Sequence, residues 1–211
     1  MTLALLHTSD GHVPVFDGLR DRYHPGLVLR HLVAAELLVR ARVEGPGVVA
    51  GAVRGLLGRA VRDGAAAVLC TCSTLGAVAE RASASLGVPV LRVDRPMAAE
   101  AARHARIVVV ATVASTVEPT LGLLREEAGD RSPAVETLLV GEAWERFEAG
   151  DRDGYLDAVA AAVDRIDPGG DTVVVLAQAS MADAAARTRT PLPVLSSPAS
   201  GLGAAAAAAG R

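Results

Sequence analysis

Short runs rich in valine and leucine alternate along the whole chain with longer alanine-rich segments. This alternation is typical of β-strands followed by α-helices that cover a parallel sheet. Aromatic residues make up only 2% of the 211 residues, so small aliphatic side chains must build the core. The pattern predicts an α/β fold whose strands lie at 3–7, 27–33, 66–70, 88–93, 107–111, 135–140, 172–177 and 193–196.

One of the intervening segments carries clear helix signals at both of its ends. Residues 46–63 begin with Pro46, which suits a first helical turn, and are followed by Gly64, a common residue at a helix end. The same segment places Val53 and Leu57 on one face, so we expect a helix with one side against the core. The alanine run near the C-terminus also predicts a helix.

Two segments of the chain are similar to each other. The segment AAAVLCTCSTLG, which begins at Ala65, and the segment TVVVLAQASMAD, which begins at Thr172, both combine a strand, a small polar turn and the start of an alanine-rich helix. The alignment sets Cys72 against Ala179 and Ser73 against Ser180. The match is either an internal repeat or a product of the alanine-rich composition. If it is a repeat, two similar lobes face each other across one cleft.

Charge and composition exclude several classes of function. The net charge is −3, with acidic and basic residues mixed along the chain, so neither a nucleic-acid partner nor a charged membrane surface is expected. No apolar run reaches the length of a membrane span, and the opening residues are typical of a first strand rather than a signal peptide, so a cytosolic location is expected. Two cysteines are too few for a zinc or iron–sulfur site.

Polar side chains follow the predicted strands at the end where parallel sheets bind ligands. They are mostly neutral hydrogen-bond donors next to predicted helix N-termini, which suits a carboxylate. A small carboxylate substrate is therefore expected. These residues are His7, Thr8 and Ser9 after the first strand, Ser73 and Thr74 after the third, Thr112, Ser115 and Thr116 after the fifth, and Gln178 and Ser180 after the seventh.

Cys72 stands where the third strand gives way to a helix. The positive end of that helix favours thiolate over thiol, which makes Cys72 a candidate base or nucleophile. The alternative is a small buried residue without a chemical role, and this is our interpretation of Cys70. His7 fits either a catalytic or a structural histidine.

Four motifs, CTCSTLG, RVDRPM, VVATVASTVEPT and VVVLAQASM, occur in an order that resembles the aspartate/glutamate/hydantoin racemase superfamily. The resemblance covers nearly the whole chain. It implies two pseudo-symmetric α/β lobes, each a short parallel sheet flanked by helices, with the active site in the cleft between them. The first lobe would contain residues 1–94 and 193–211, and the second residues 95–192. A homodimer is a further expectation that the resemblance carries.

The resemblance also implies proton transfer next to a carboxylate, without metal or organic cofactor, by one cysteine from each lobe. Cys72-Ser73-Thr74 matches the first cysteine motif, whereas 176–180 contains no cysteine. Superfamily members with one thiol include decarboxylases of disubstituted malonates. We therefore expect an isomerase of amino-acid metabolism or a decarboxylase, with Cys72 as the proton-transfer thiol. The alternative is a small-molecule binding protein that kept the cleft. The expected substrate contacts are His7, Thr8, Ser9, Ser73, Thr74, Thr112, Ser115, Thr116, Gln178, Ala179 and Ser180.

Overall fold

The computed structural model describes residues 1–210. The chain divides into two compact α/β units. Unit 1 contains Met1–Asp94 and the described residues from Pro198 onward, and unit 2 contains Arg95–Ser197. Within residues 1–210, no helix combines the length and the apolar composition that a bilayer crossing requires.

Unit 1 is built from four strands, which alternate with helices in the order of the chain. The elements are β1 (Thr2–His7), α1 (His12–Tyr23), β2 (Val28–Val33), α2 (Ala35–Glu44), a 3₁₀ turn (Pro46–Val49), α3 (Ala50–Arg62), β3 (Ala67–Cys70), α4 (Ser73–Glu80), α5 (Ser83–Leu86) and β4 (Val90–Arg92), with α10 (Ser197–Ala209) beginning one residue before the unit resumes.

The unit 1 sheet is parallel throughout, in the order β2-β1-β3-β4. Successive side chains of a strand point to opposite faces of its sheet, and β1 is apolar on both. Leu6 joins the core cluster of α3, whereas Leu5 packs in the cluster that contains Phe16 of α1 and Leu202 of α10. Helices therefore cover both faces, as the burial of continuous apolar strands requires.

Unit 2 repeats this arrangement with its own strands and helices. The elements are α6 (Arg95–Ala101), β5 (Arg106–Ala111), a 3₁₀ turn (Ala114–Thr116), α7 (Val117–Ala128), β6 (Ala134–Leu139), α8 (Gly141–Glu148), α9 (Arg152–Val163), β7 (Thr172–Leu176), a long 3₁₀ helix (Ala179–Arg187) and β8 (Val194–Ser196).

The unit 2 sheet is also parallel, in the order β6-β5-β7-β8. Val110 of β5 packs in one core cluster with Leu156 of α9, and Val109 packs in another with Leu123 of α7. The two sheets thus share one topology, in which the first strand of each unit lies between the second and third. The predicted α/β fold is confirmed.

All eight predicted strands are present, with ends that differ from the prediction by two residues at most. The predicted helix 46–63 is present as well, but its first turn is a 3₁₀ turn and the α-helix begins at Ala50. The predicted C-terminal helix is α10. Val53 and Leu57 are wholly buried, as their shared face required.

The last strand differs from the expected lobe boundary. We expected residues 193–211 in the first lobe, but Val194–Ser196 pairs with β7 along Val174–Leu176. Pairing with β7 makes this strand the edge of the unit 2 sheet. Only the chain from Pro198 onward returns to unit 1.

Candidate functional site

Cys72 is the second of the two residues that link β3 to α4. It adopts an extended backbone conformation, with φ −110° and ψ 116°, and α4 begins at Ser73. Its side chain makes no capping hydrogen bond to the helix, and 8% of the residue is exposed. Ser73 and Thr74 are partly exposed beside it in the first turn of α4. A thiol and two hydroxyls therefore lie together at the carboxyl end of β3.

Cys70 has a different environment, although it lies only two positions away. It is wholly buried, and its thiol donates to the backbone carbonyl of Cys72 over 3.6 Å. Burial raises the pKa of the Cys70 thiol above its ordinary value, and the neighbouring Cys72 adds to this effect. The prediction that Cys70 is a core residue is confirmed.

His7 ends β1 and is held inside unit 1 by both ring nitrogens. Its Nδ1 lies 2.8 Å from Oγ1 of Thr71, and its Nε2 lies 2.8 Å from Nδ1 of His31. Burial, followed by the charges of His12 and His31, lowers the pKa of His7 from 6.5 to about 3. In this structure His7 is thus a neutral, fully bonded ring within the unit. No ligand spacing in the sequence pointed to His31, which His7 contacts only in the fold.

The remaining expected residues of unit 1 are Thr8 and Ser9. Thr8 is buried directly after β1. Ser9 is partly exposed, and its hydroxyl accepts a hydrogen bond from the backbone of Gly11 over 3.3 Å. The structure thus brings Thr8 and Ser9 to the same edge of the sheet as Cys72.

A buried ion pair between Arg92 and Asp94 packs against α4. The guanidinium of Arg92 donates to both carboxylate oxygens of Asp94, over 2.7 and 2.9 Å, and both residues are almost fully buried. Arg92 lies against Gly76 of α4, where an added Cβ would come within 2.9 Å of the Arg92 Nε. Glycine at position 76 therefore lets the helix that follows Cys72 sit directly on the ion pair.

Gln178 holds a well-defined orientation in unit 2. Its Oε1 accepts from the backbone N–H of Thr112 over 2.7 Å and from the Thr112 hydroxyl over 3.0 Å. Because a backbone N–H can only donate, the amide oxygen must face Thr112. The Gln178 amide nitrogen, with its two hydrogens, is then directed away from Thr112 as a donor.

Tyr155 is a part of this cluster that the sequence analysis missed. It is fully buried on α9, and its hydroxyl lies 2.8 Å from Oγ of Ser180. Burial raises the pKa of Tyr155, and hydrogen bonds with Ser180 and Thr112 oppose that rise. Tyr155 therefore ties together two residues that the sequence had placed after different strands. A tyrosine on the apolar face of an alanine-rich helix fits the pattern of an ordinary core residue, so no signal in the sequence distinguished Tyr155 from the core residues around it.

The other expected residues of unit 2 lie at the same end of its sheet. Thr116 and Ala179 are buried. Ser115 is partly exposed as a residue, but within residues 1–210 its hydroxyl oxygen is buried without a hydrogen-bond partner. Its hydrogen-bonding capacity is therefore not used by any other group in the described part of the chain.

The registers of the two sheets give the correspondence between the units. Leu6 pairs with Cys70 in unit 1, and Val110 pairs with Leu176 in unit 2. Two residues beyond these paired ends lie Cys72 and Gln178, each directly before its helix. The sequence alignment, which set Cys72 against Ala179, was therefore wrong by one residue, because it matched serines and alanines rather than strand ends. Gln178 is the unit 2 counterpart of Cys72.

The polar residues at the strand ends do not form a metal-binding cluster in the described part of the chain. Among residues 1–210, no group of three His, Cys, Asp or Glu side chains is arranged to hold a metal ion. The chemistry that the described side chains themselves offer is a thiol, several hydroxyls, amide donors and buried imidazoles.

Comparison with known families gives a match over most of the chain. The model of the Asp/Glu/Hydantoin racemase family matches residues 14–207. None of the curated protein sequences compared with this one is similar enough to match.

Solved structures share the fold at low sequence identity. Glutamate racemase from Thermus thermophilus, in complex with β-chloro-D-alanine, superimposes with a TM-score of 0.71 at 20% identity, covering 98% of this chain and 79% of that one. Glutamate racemase from Aquifex pyrophilus gives 0.64 at 16% identity, with 97% and 82% covered. Arylmalonate decarboxylase gives 0.62 at 19% identity, with 99% and 92% covered.

Proposed function

Since the chain belongs to the Asp/Glu/hydantoin racemase family, we propose that it is an enzyme that transfers a proton at the carbon next to a carboxylate of a small acid. Cys72 is the proposed proton donor. Among the reactions of such enzymes, we favour decarboxylation, a lyase reaction, over racemisation. The observation that carries this choice is the glutamine at position 178, where the counterpart of Cys72 lies.

The position of Cys72 supports its role. It lies at the carboxyl end of a central strand, which is where parallel sheets bind ligands, and 8% of this otherwise buried residue is exposed, whereas Cys70 is wholly buried. The first backbone N–H groups of α4 follow it directly and favour an anion at this point. Cys70, by contrast, is sealed in the core and bonded to a carbonyl.

Neutral donors around the strand ends would hold the substrate carboxylate. In unit 1 we assign this role to Ser73 and Thr74, next to the thiol. In unit 2 we assign it to the amide nitrogen of Gln178, whose oxygen is already bonded to Thr112, and to the buried hydroxyl of Ser115. Donors placed where charge develops usually contribute the largest part of catalysis in such reactions. The other expected contacts stay predictions: His7, Thr8, Ser9, Thr112, Thr116, Ala179 and Ser180.

The proposed reaction balances with one thiol. The bond between the central carbon and one carboxylate of a disubstituted malonate breaks, carbon dioxide leaves, and the electron pair stays behind as an enediolate. The thiol of Cys72 gives its proton to the carbon of the enediolate. The resulting thiolate then takes a proton from water.

Racemisation needs a proton-transfer group for each face of the planar intermediate. A carboxamide cannot take or give a proton at neutral pH, so Gln178 can donate a hydrogen bond but cannot replace a second thiol. We therefore expect protonation from the side of Cys72 alone and a product of one handedness.

The test is a turnover screen in deuterated water with aspartate, glutamate, hydantoins and arylmalonates. Nuclear magnetic resonance would follow loss of substrate and deuterium in the product. We expect turnover by the wild type and by Cys70→Ala, which removes the other thiol, and a loss of about 10²-fold or more in Cys72→Ala. Turnover that survives in Cys72→Ala would refute the assignment of Cys72.

The second candidate is a binding protein that retains the ligand site without the chemistry. The glutamine at the counterpart position is the observation that favours it. Iodoacetamide separates the two proposals. A thiol that takes part in proton transfer should be alkylated at Cys72 and protected by bound acid, with Cys70 unmodified. Failure of both cysteines to react would favour the binding protein. A homodimer, a cytosolic location and a place in amino-acid metabolism stay predictions.

A further inference from the structure

A line of hydrogen-bonding groups runs through unit 1 from its surface to the residue before Cys72. Asp17 of α1, whose side chain is 39% exposed, lies 3.4 Å from Nε2 of His31, whose side chain is 17% exposed. His31 lies next to His7, and His7 lies next to Thr71, both fully or almost fully buried. These four side chains come from α1, β2, β1 and the turn after β3.

The direction of the innermost bond follows from the chemistry of Thr71. The Thr71 hydroxyl donates its single hydrogen to the backbone carbonyl of Leu6 over 3.1 Å. It can therefore only accept from His7, so Nδ1 of His7 must carry a proton. The Thr71 backbone N–H bonds the same Leu6 carbonyl over 2.9 Å. Thr71 is thus tied to the end of β1 by both of its donors.

The next bond follows from the first. A neutral His7 with its proton on Nδ1 has a bare Nε2, which accepts. His31 must then donate from its Nδ1. The geometry agrees, because the two rings are only 19° from parallel and their centroids are 5.1 Å apart with 2.8 Å between the nitrogens, so the rings meet edge to edge.

At the outer end, Nε2 of His31 faces the Asp17 carboxylate, 3.4 Å from Oδ1. Two further groups face this line: His12, whose ring is 5.9 Å from that of His7, and Arg20, which bonds Asp17 over 3.2 Å. Neither His12 nor Arg20 interrupts the sequence of donors.

We propose that His31 and Asp17 are positioning residues that act through His7 to fix Thr71, and with it the strand end that carries Cys72. The series of hydrogen bonds ends at the Leu6 carbonyl and does not reach the Cys72 thiol. Its proposed role is therefore to orient the site and not to transfer a proton to the thiol. The direction of the bond to Thr71 stands on the geometry, and the direction of the bond from His31 also requires a neutral His7. The value of these contacts for catalysis rests on the proposed function of Cys72.

The direct test is the protonation of the histidine nitrogens in the protein without added ligand. With ¹⁵N-labelled histidine, long-range ¹H–¹⁵N spectra distinguish a protonated nitrogen from a bare one. We expect His7 with a proton on Nδ1 and a bare Nε2. A proton on Nε2 of His7, or a mixture of the two tautomers, would overturn the proposal.

Two variants of His31 separate positioning from simple packing. His31→Asn places an amide N–H where Nδ1 donates, whereas His31→Leu removes the donor. We expect the tautomer of His7, which Thr71 fixes, to be the same in all three variants. The nitrogen signal of the bare Nε2 should shift in His31→Leu, which removes its donor, and should stay close to the wild-type position in His31→Asn and in the control His24→Asn. Equal spectra in all the variants would refute the role of His31.

Activity is a second, separate readout. With an acid that the wild type turns over, we expect kcat to fall roughly tenfold or more in His31→Leu, with KM little changed, and to recover in His31→Asn. Equal kcat in these two variants would contradict the positioning role. If none of the acids is turned over, the proposed function fails while the nitrogen spectra still decide the arrangement of the histidines.

Discussion

The buried histidine at the end of β1 makes the stability of unit 1 depend on pH. The pKa of His7 is lowered from 6.5 to about 3, mainly by burial and then by His12 and His31. The unfolded chain therefore binds the proton first, so the stabilisation is complete above about pH 6.5 and is lost as the pH falls toward 3. Since one pKa unit corresponds to about 1.4 kcal/mol, His7 alone should remove about 2 kcal/mol of stability between pH 7 and pH 5.

The variant His7→Asn isolates this contribution, because asparagine keeps an N–H donor for Thr71 but does not titrate. Urea unfolding followed by far-UV circular dichroism at pH 7 and pH 5 gives the two free energies. Tryptophan fluorescence would follow the other unit, because Trp144 lies in unit 2. Burial also lowers the pKa of His12, but His12 is present in both proteins, so its contribution cancels in the comparison.

We expect the wild type to lose about 2 kcal/mol more than His7→Asn between the two pH values. Ordinary carboxylates titrate mostly below this range, so they do not obscure the difference. An equal loss in the two proteins would refute the argument that a neutral His7 is held inside the fold.

Two further predictions concern the packing of unit 1. Gly201→Ala should destabilise the protein by about 1–3 kcal/mol, because the new Cβ would lie 2.4 Å from the carbonyl oxygen of Val93. At Gly203 the nearest atom to a new Cβ would be 3.8 Å away, so Gly203→Ala should stabilise α10 by up to about 1 kcal/mol. Thermal unfolding of the two variants checks the difference, and equal melting temperatures would contradict it. Asp94→Ala should lower the free energy of unfolding by about 3–5 kcal/mol, since it removes the carboxylate that neutralises the buried guanidinium of Arg92. Urea unfolding measures this loss. A loss below about 1 kcal/mol, which is the range for exposed ion pairs, would refute the prediction.

The strands could be predicted from the sequence because each is a short run of aliphatic residues that is buried on a covered sheet. β5 and β7 are almost entirely valine, isoleucine and leucine between their flanking residues, and such runs fit few other structures. The position of Cys72 at a helix start followed from the change of pattern after Cys70. These features are local, so the sequence order alone carries them.

The features that the sequence could not provide depend on contacts between distant segments. His31 meets His7 because β2 pairs with β1 in a register that sets His31 opposite Leu5, two residues before His7 on the same strand, and this register is a property of the sheet. Tyr155 reaches Ser180 from a helix that precedes β7. The correspondence between Cys72 and Gln178 likewise depends on strand pairing, which alanine-rich sequences do not reveal.

The handedness of the product tests the central claim most directly. A prochiral disubstituted malonate would be converted in deuterated water by the wild type and by Gln178→Cys, which restores a thiol at the counterpart of Cys72, and the product acid would be separated by chirality. We predict one deuterated enantiomer from the wild type and progressive loss of optical purity with Gln178→Cys. A racemic product from the wild type would contradict proton transfer by Cys72 alone, because it would require a second proton-transfer group for the opposite face of the intermediate.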